Sequence, residues 1–155
     1  MQIMARIGTI VAPVALLFLA GCDTAPKAPE VAVKEVWVRL PAVAGRPGAA
    51  YFTLESNVSP MKLVSVASPD VERIELHDSK SEGGMMKMTP LTDTAFPAGG
   101  TMEFAPGGKH AMLFGIDPKI QAGGKIRLTF TFDPAPAVTA EAEARAAGDP
   151  GHSGH

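Results

Sequence analysis

Lys125-Ile126-Arg127-Leu128-Thr129-Phe130-Thr131-Phe132 decides the fold class of this chain. Ile126, Leu128, Phe130 and Phe132 recur at every second position, and Lys125, Arg127, Thr129 and Thr131 fill the gaps. Successive side chains of an extended strand project to opposite faces. The alternation therefore predicts a strand with one face in a core and the other in water. Segments 35–40, 49–55, 63–67, 71–77, 85–89, 101–104 and 110–116 read as further short strands. The breaks between them carry turn chemistry, as in Gly45-Arg46-Pro47-Gly48, Ser68-Pro69-Asp70, Gly83-Gly84 and Pro106-Gly107-Gly108. Short strands at regular spacing predict an all-β fold, an antiparallel sandwich or barrel. No long helical pattern and no internal repeat interrupts residues 33–133, which the length allows as one domain.

The two ends differ from this body. Residues 7–20 are apolar apart from Gly8, Thr9 and Pro13, and they follow a single positive charge at Arg6. The stretch is too short to span a bilayer comfortably, which takes roughly 20 residues. It ends in Leu19-Ala20-Gly21-Cys22, small residues directly before the chain's one cysteine. This pattern resembles a bacterial lipoprotein signal, residues 1–21, cleaved before Cys22. Cys22 would then carry lipid, so it could form no disulfide and bind no metal in the mature domain. The mature chain would lie outside the cytoplasm, on the periplasmic side of the envelope and anchored to a membrane. Asp23, next to the anchor, leans toward the inner membrane. Residues 22–32, with Ala25-Pro26-Lys27-Ala28-Pro29, read as an extended linker. At the other end Pro134-Ala135-Pro136 stops the last strand. Residues 137–147 match a short helix of marginal stability without packing, and 134–155 read as a flexible His-containing tail.

Charge excludes one class of partner. There are 14 basic and 16 acidic residues with no Lys/Arg run, so nucleic acid is not expected.

Chemistry concentrates in four residues, His77, Met88, His110 and Met112, spaced H-x10-M-x21-H-x-M. Imidazole and thioether are neutral, soft donors that suit Cu(I). His110 and Met112 are i and i+2 on one strand, so they project to the same side with no further folding condition. Gly107-Gly108 just before them gives room for a close approach. His77 shares a strand face with Arg73 and Glu75, opposite Ile74 and Leu76, and so points away from the core. Met88 is harder to single out. Met85-Met86-Lys87-Met88 offers three sulfurs, Met86 and Met88 share a face, and methionine also fills cores well. At least one of the three is expected in the core, and spacing alone does not choose between Met86 and Met88.

The four residues match the signature of the periplasmic copper chaperones called PCuAC, and the likeness extends through much of 33–133. RLPAVAGRPGAAYFTLESN at 39–57, Glu75-Leu76-His77, Met86-Lys87-Met88-Thr89-Pro90 and Pro106-Gly107-Gly108-Lys109-His110-Ala111-Met112-Leu113 all resemble that family. The resemblance implies a cupredoxin-like Greek-key β-barrel or sandwich, a monomer, that carries one Cu(I) on His77, Met88, His110 and Met112. It implies delivery to the dinuclear copper site of cytochrome c oxidase subunit II, or to assembly proteins, by ligand exchange without turnover. It also implies that His152 and His155, the other two of four histidines, are candidates for a second, Cu(II) site in the tail.

Three rival classes fare differently. A blue-copper electron carrier requires a thiolate, and Cys22 is spent on lipid. A metal-dependent hydrolase needs a carboxylate or third histidine beside an open coordination position, and no such spacing occurs. A copper-sequestering lipoprotein that stores metal needs the same soft site, so sequence does not separate storage from delivery.

Overall fold

The computed structural model describes residues 30–149 except Val58. The signal segment, Cys22, Asp23, His152 and His155 lie outside the described residues. Ten strands form one continuous hydrogen-bonded sheet: β1 (Val31–Arg39), β2 (Gly48–Ser56), β3 (Met61–Ala67), β4 (Val71–Glu82), β5 (Met85–Pro90), β6 (Ala95–Phe96), β7 (Thr101–Phe104), β8 (Lys109–Ile116), β9 (Lys125–Asp133) and β10 (Val138–Arg145). Their order is β5-β4-β8-β2-β1-β10-β9-β3-β6, with β7 on β2. Consecutive strands such as β2 and β3 are far apart in this order, so the chain crosses between the two halves in the Greek-key manner. The sheet folds on itself around one core, as the all-β expectation required.

The periodicity of β9 survives in full. Ile126, Leu128, Phe130 and Phe132 are buried while Lys125, Arg127, Thr131 and Asp133 are exposed. Phe52 joins the two halves of the core. Its ring stacks on Phe104 at 4.3 Å between centroids and meets Phe130 edge-on at 4.8 Å. Leu54, Leu63, Leu113 and Val38 fill the space around these rings.

Residues 137–147 correct an expectation. They form no helix, and the segment is no tail: β10 inserts between β1 and β9, parallel to β1 and antiparallel to β9. The helix propensity of Ala and Glu lost to period and context. In VTAEAEAR the small residues fall on alternate positions, Ala142 and Ala144 are fully buried, and Glu141 and Glu143 face water. The domain thus runs to residue 145. Strand β1 also begins at Val31, inside the expected linker, with Val31 buried against the core.

The hairpin β4–β5 carries His77 and Met88 and builds one wall of the rim. Glu82 pairs with Met85, leaving Gly83 and Gly84 as a two-residue turn. Both have positive φ, 60° and 81°, as a type I′ turn demands and as glycine permits without strain. Strand β4 pairs with β8 only as far as Asp78, so the hairpin tip projects past the end of β8.

Candidate metal centre

Register brings the two histidines together. His77 on β4 lies directly opposite His110 on β8, and their rings are 6.1 Å apart between centroids with planes 25° from parallel. Met112, two residues on, lies opposite Glu75 on one side and Ala49 of β2 on the other. Ser79 lies opposite Met88 and Ser81 opposite Met86. His77, Ser79 and Ser81 share one face of β4, so both methionines project to the His77 side while Met85 projects away.

These residues rim a pocket of about 400 Å³ between the hairpin and the β1–β2 loop. Met86, Met88, His110 and Met112 line it, with Tyr51 and Arg39 alongside and Pro41, Ala42 and Pro47 opposite. His77 stands beside His110 and outside the pocket lining. Arg39 is the only lysine, arginine or carboxylate side chain among the described residues lining the pocket. Among the described residues no group of three or more His, Cys, Asp or Glu is placed to hold a metal ion; the soft donors lining this pocket are the His110 imidazole and the thioethers of Met86, Met88 and Met112, with the His77 ring beside His110.

Hydrogen bonds set the imidazole tautomers. His110 Nδ1 donates to the Gly108 carbonyl at 2.9 Å, which leaves Nε2 as the lone-pair nitrogen. The same carbonyl accepts from Ser79 N, so the turn before β8 ties the histidine to the hairpin. That turn runs from the Ala105 carbonyl to Gly108 N, with Pro106 followed by Gly107 at φ 83°, the arrangement of a type II turn. His77 is bonded the other way round. Its Nε2 lies 3.2 Å from Glu75 Oε2, which leaves Nδ1 with the lone pair. His77 Nδ1 is buried and has no hydrogen-bond partner. A buried, unpaired acceptor costs about 1–3 kcal/mol, so such an atom calls for a ligand.

Exposure differs from expectation. An outward strand face predicts an open His77, yet its side chain is only 16% exposed, and its neighbour His110 is 7% exposed. At least one of Met85, Met86 and Met88 was expected in the core, but all three are exposed, Met88 at 52% and Met86 at 62%. Their strand packs on the sheet through one edge only, so no residue of β5 is buried. The sulfurs are the open side of this site and the imidazoles its closed side.

One wall of the pocket belongs to an aromatic and arginine cluster that the four-residue metal signature does not include. Arg39 donates to the Tyr51 hydroxyl, Tyr51 packs on Trp37 at 4.5 Å, and the Arg145 guanidinium sits 4.9 Å over the Trp37 ring. Burial raises the Tyr51 phenol above its ordinary pKa, with the Arg39 charge opposing. Glu75 is not one of the four signature residues, but the strand alternation that put it on the face of His77 brings its carboxylate to the His77 ring.

A ten-stranded Greek-key sandwich with an imidazole and thioether pocket at its rim is a cupredoxin-like domain. The chain belongs to the LpqE-like family, described as "Putative lipoprotein LpqE-like", whose model matches residues 31–144. It is 30% identical over 125 residues to the Leifsonia xyli subsp. xyli protein named "Putative lipoprotein Lxx21020", covering 74% of this chain and 75% of that one. Among solved structures it resembles the copper-bound PCuAC domain from PmoF2, with TM-score 0.63 and 22% identity over 75% of this chain and 92% of the other. It also resembles the Cu(I) form of DR1885 from Deinococcus radiodurans, with TM-score 0.56 and 27% identity over 81% and 83%.

Proposed function

We propose that this domain binds one Cu(I) through His77, Met88, His110 and Met112 and passes it on by ligand exchange, without catalysing a reaction. The observation that carries this is the lone pair of His77 Nδ1, buried and unpaired beside the ring of His110, whose own free nitrogen is Nε2. His77 and His110 stand side by side on adjacent strands, and with metal–nitrogen bonds of about 2 Å, ring centroids 6.1 Å apart are within reach of one shared cation. Thioethers from Met88 and Met112 complete a neutral set that favours Cu(I) over harder cations. The related Cu(I) form of DR1885 adds support.

Delivery is favoured over storage by the openness of Met88, since an acceptor must reach the metal to displace a ligand. The acceptor we assign is the dinuclear copper site of cytochrome c oxidase subunit II or a protein that assembles it. The lipoprotein names of the relative and of the family support lipid attachment; we assign it to Cys22, with the domain on the periplasmic side of the membrane. A second, Cu(II) site at His152 and His155 is a separate proposal. Removing residues 150–155 tests it, because that cut spares β10; unchanged Cu(II) stoichiometry would dismiss it.

The decisive measurement for the main site is Cu(I) competition binding on wild type and Met112→Leu, which keeps the volume and removes the sulfur. A tenfold or greater loss of affinity is expected, about 1.4 kcal/mol or more. Equal affinity would remove Met112 from the site. For delivery, deleting the gene should lower cytochrome oxidase activity when copper is limiting; normal activity there would point to storage.

A further inference from the structure

The pocket holds one sulfur more than the four-donor set uses. Met86 lines it together with Met88, His110 and Met112. The register of the hairpin explains why. Met86 is two residues from Met88 on β5 and so shares its face, one step nearer the Gly83-Gly84 tip. Packing does not account for this side chain. Methionine is ordinarily useful for filling core gaps, yet Met86 is 62% exposed on a strand with no buried residue.

We infer that Met86 is the exchange ligand of this site, the sulfur that takes Cu(I) at entry and exit. The inference rests on the four-donor reading above. Two residues along a strand span about 6.6 Å. A cation leaving Met88 for Met86 therefore passes to a sulfur whose Cα lies one such step nearer the hairpin tip, on a strand at the edge of the sheet among the described residues. Met86 has three rotatable side-chain bonds, so its sulfur reaches either the pocket or an approaching partner. Each exchange breaks one Cu–S bond and forms another, with no change in oxidation state and no proton moved. Met85, on the opposite face of the same strand and also exposed, is the internal control.

The experiment uses the full mature protein loaded with Cu(I), with bicinchoninate as a coloured competitor. Equilibrium affinity and the rate of copper removal are both measured for wild type, Met85→Leu, Met86→Leu, Met88→Leu and Met112→Leu. Met86→Leu should keep its affinity within about twofold while copper removal slows about fivefold or more; the rates, not the equilibrium, carry the change. Met85→Leu should match wild type in both. An unchanged removal rate in Met86→Leu overturns the proposal. So does an affinity loss as large as that of Met88→Leu, which would make Met86 a resident ligand. Equal slowing in Met85→Leu also overturns it, by assigning the effect to the hairpin as a whole. If Met88→Leu and Met112→Leu both bind as tightly as wild type, the four-donor site itself fails and the exchange role with it. That result is distinct from a failure of Met86 alone.

Discussion

His77 and His110 face each other across β4 and β8, but they are hydrogen-bonded through opposite ring nitrogens: Nε2 to the Glu75 carboxylate in one, Nδ1 to the Gly108 carbonyl in the other. The asymmetry has a structural origin. His110 follows a tight turn whose last carbonyl lies under its near nitrogen. His77 sits mid-strand, where the nearest acceptor on its face is the side chain two residues back.

Glu75 therefore orients His77 and selects Nδ1 as its free nitrogen. Partners of this kind are worth about 10- to 100-fold in metal affinity. Glu75→Ala should weaken Cu(I) binding within that range, and nitrogen NMR of the apo protein should show His77 losing its single tautomer while His110 keeps its own. An unaltered His77 tautomer would remove Glu75 from this role.

Tyr51 is the only tyrosine in the chain, so phenolate absorbance reports it alone. Its apparent pKa should lie above the ordinary 10.0 because burial penalises the anion. Arg39→Gln should raise it further, since Arg39 favours the charged form. The folded pKa exceeds the unfolded one, so this group's stabilisation is complete below pH 10 and is lost as pH rises through the raised value. Denaturant melts of the apo protein at alkaline pH should show that decline, and Tyr51→Phe should flatten it.

Strand β10 belongs to the core. Ala142→Leu forces a large side chain into a fully buried site between β1 and β9 and should cost about 1–3 kcal/mol, read from the urea midpoint. Shortening the chain after residue 133 should abolish cooperative unfolding. Shortening it after residue 149 should leave the midpoint unchanged.

Phe52 couples the two halves of the sandwich through Phe104 and Phe130. Phe52→Ala should cost about 3–5 kcal/mol, the usual range for emptying a packed aromatic site. Because Phe52 packs into the core through Phe104 and Phe130 and does not line the pocket, the folded fraction should retain wild-type Cu(I) stoichiometry.

Much of this was legible in the residues themselves. Strict alternation in 125–132 set the class, because period 2 places every apolar side chain of β9 on one face whatever the strand pairs with. The same rule put His110 beside Met112 and His77 on an outer face with Glu75. Residues 137–147 were not legible, since alanine and glutamate favour a helix locally and only the slot between β1 and β9 rewards their alternation. Nor could spacing say where the methionines go. Their exposure arises from β5 lying at the open end of the sheet order, a property of strands far away in sequence. By itself the sequence determined which residue types are present and which share a strand face. Only the tertiary structure decided that His77 meets His110 in register, that His77 Nδ1 is buried and unpaired, and that Met86 joins Met88 over the pocket. Those outcomes depend on pairings between segments that no local preference encodes.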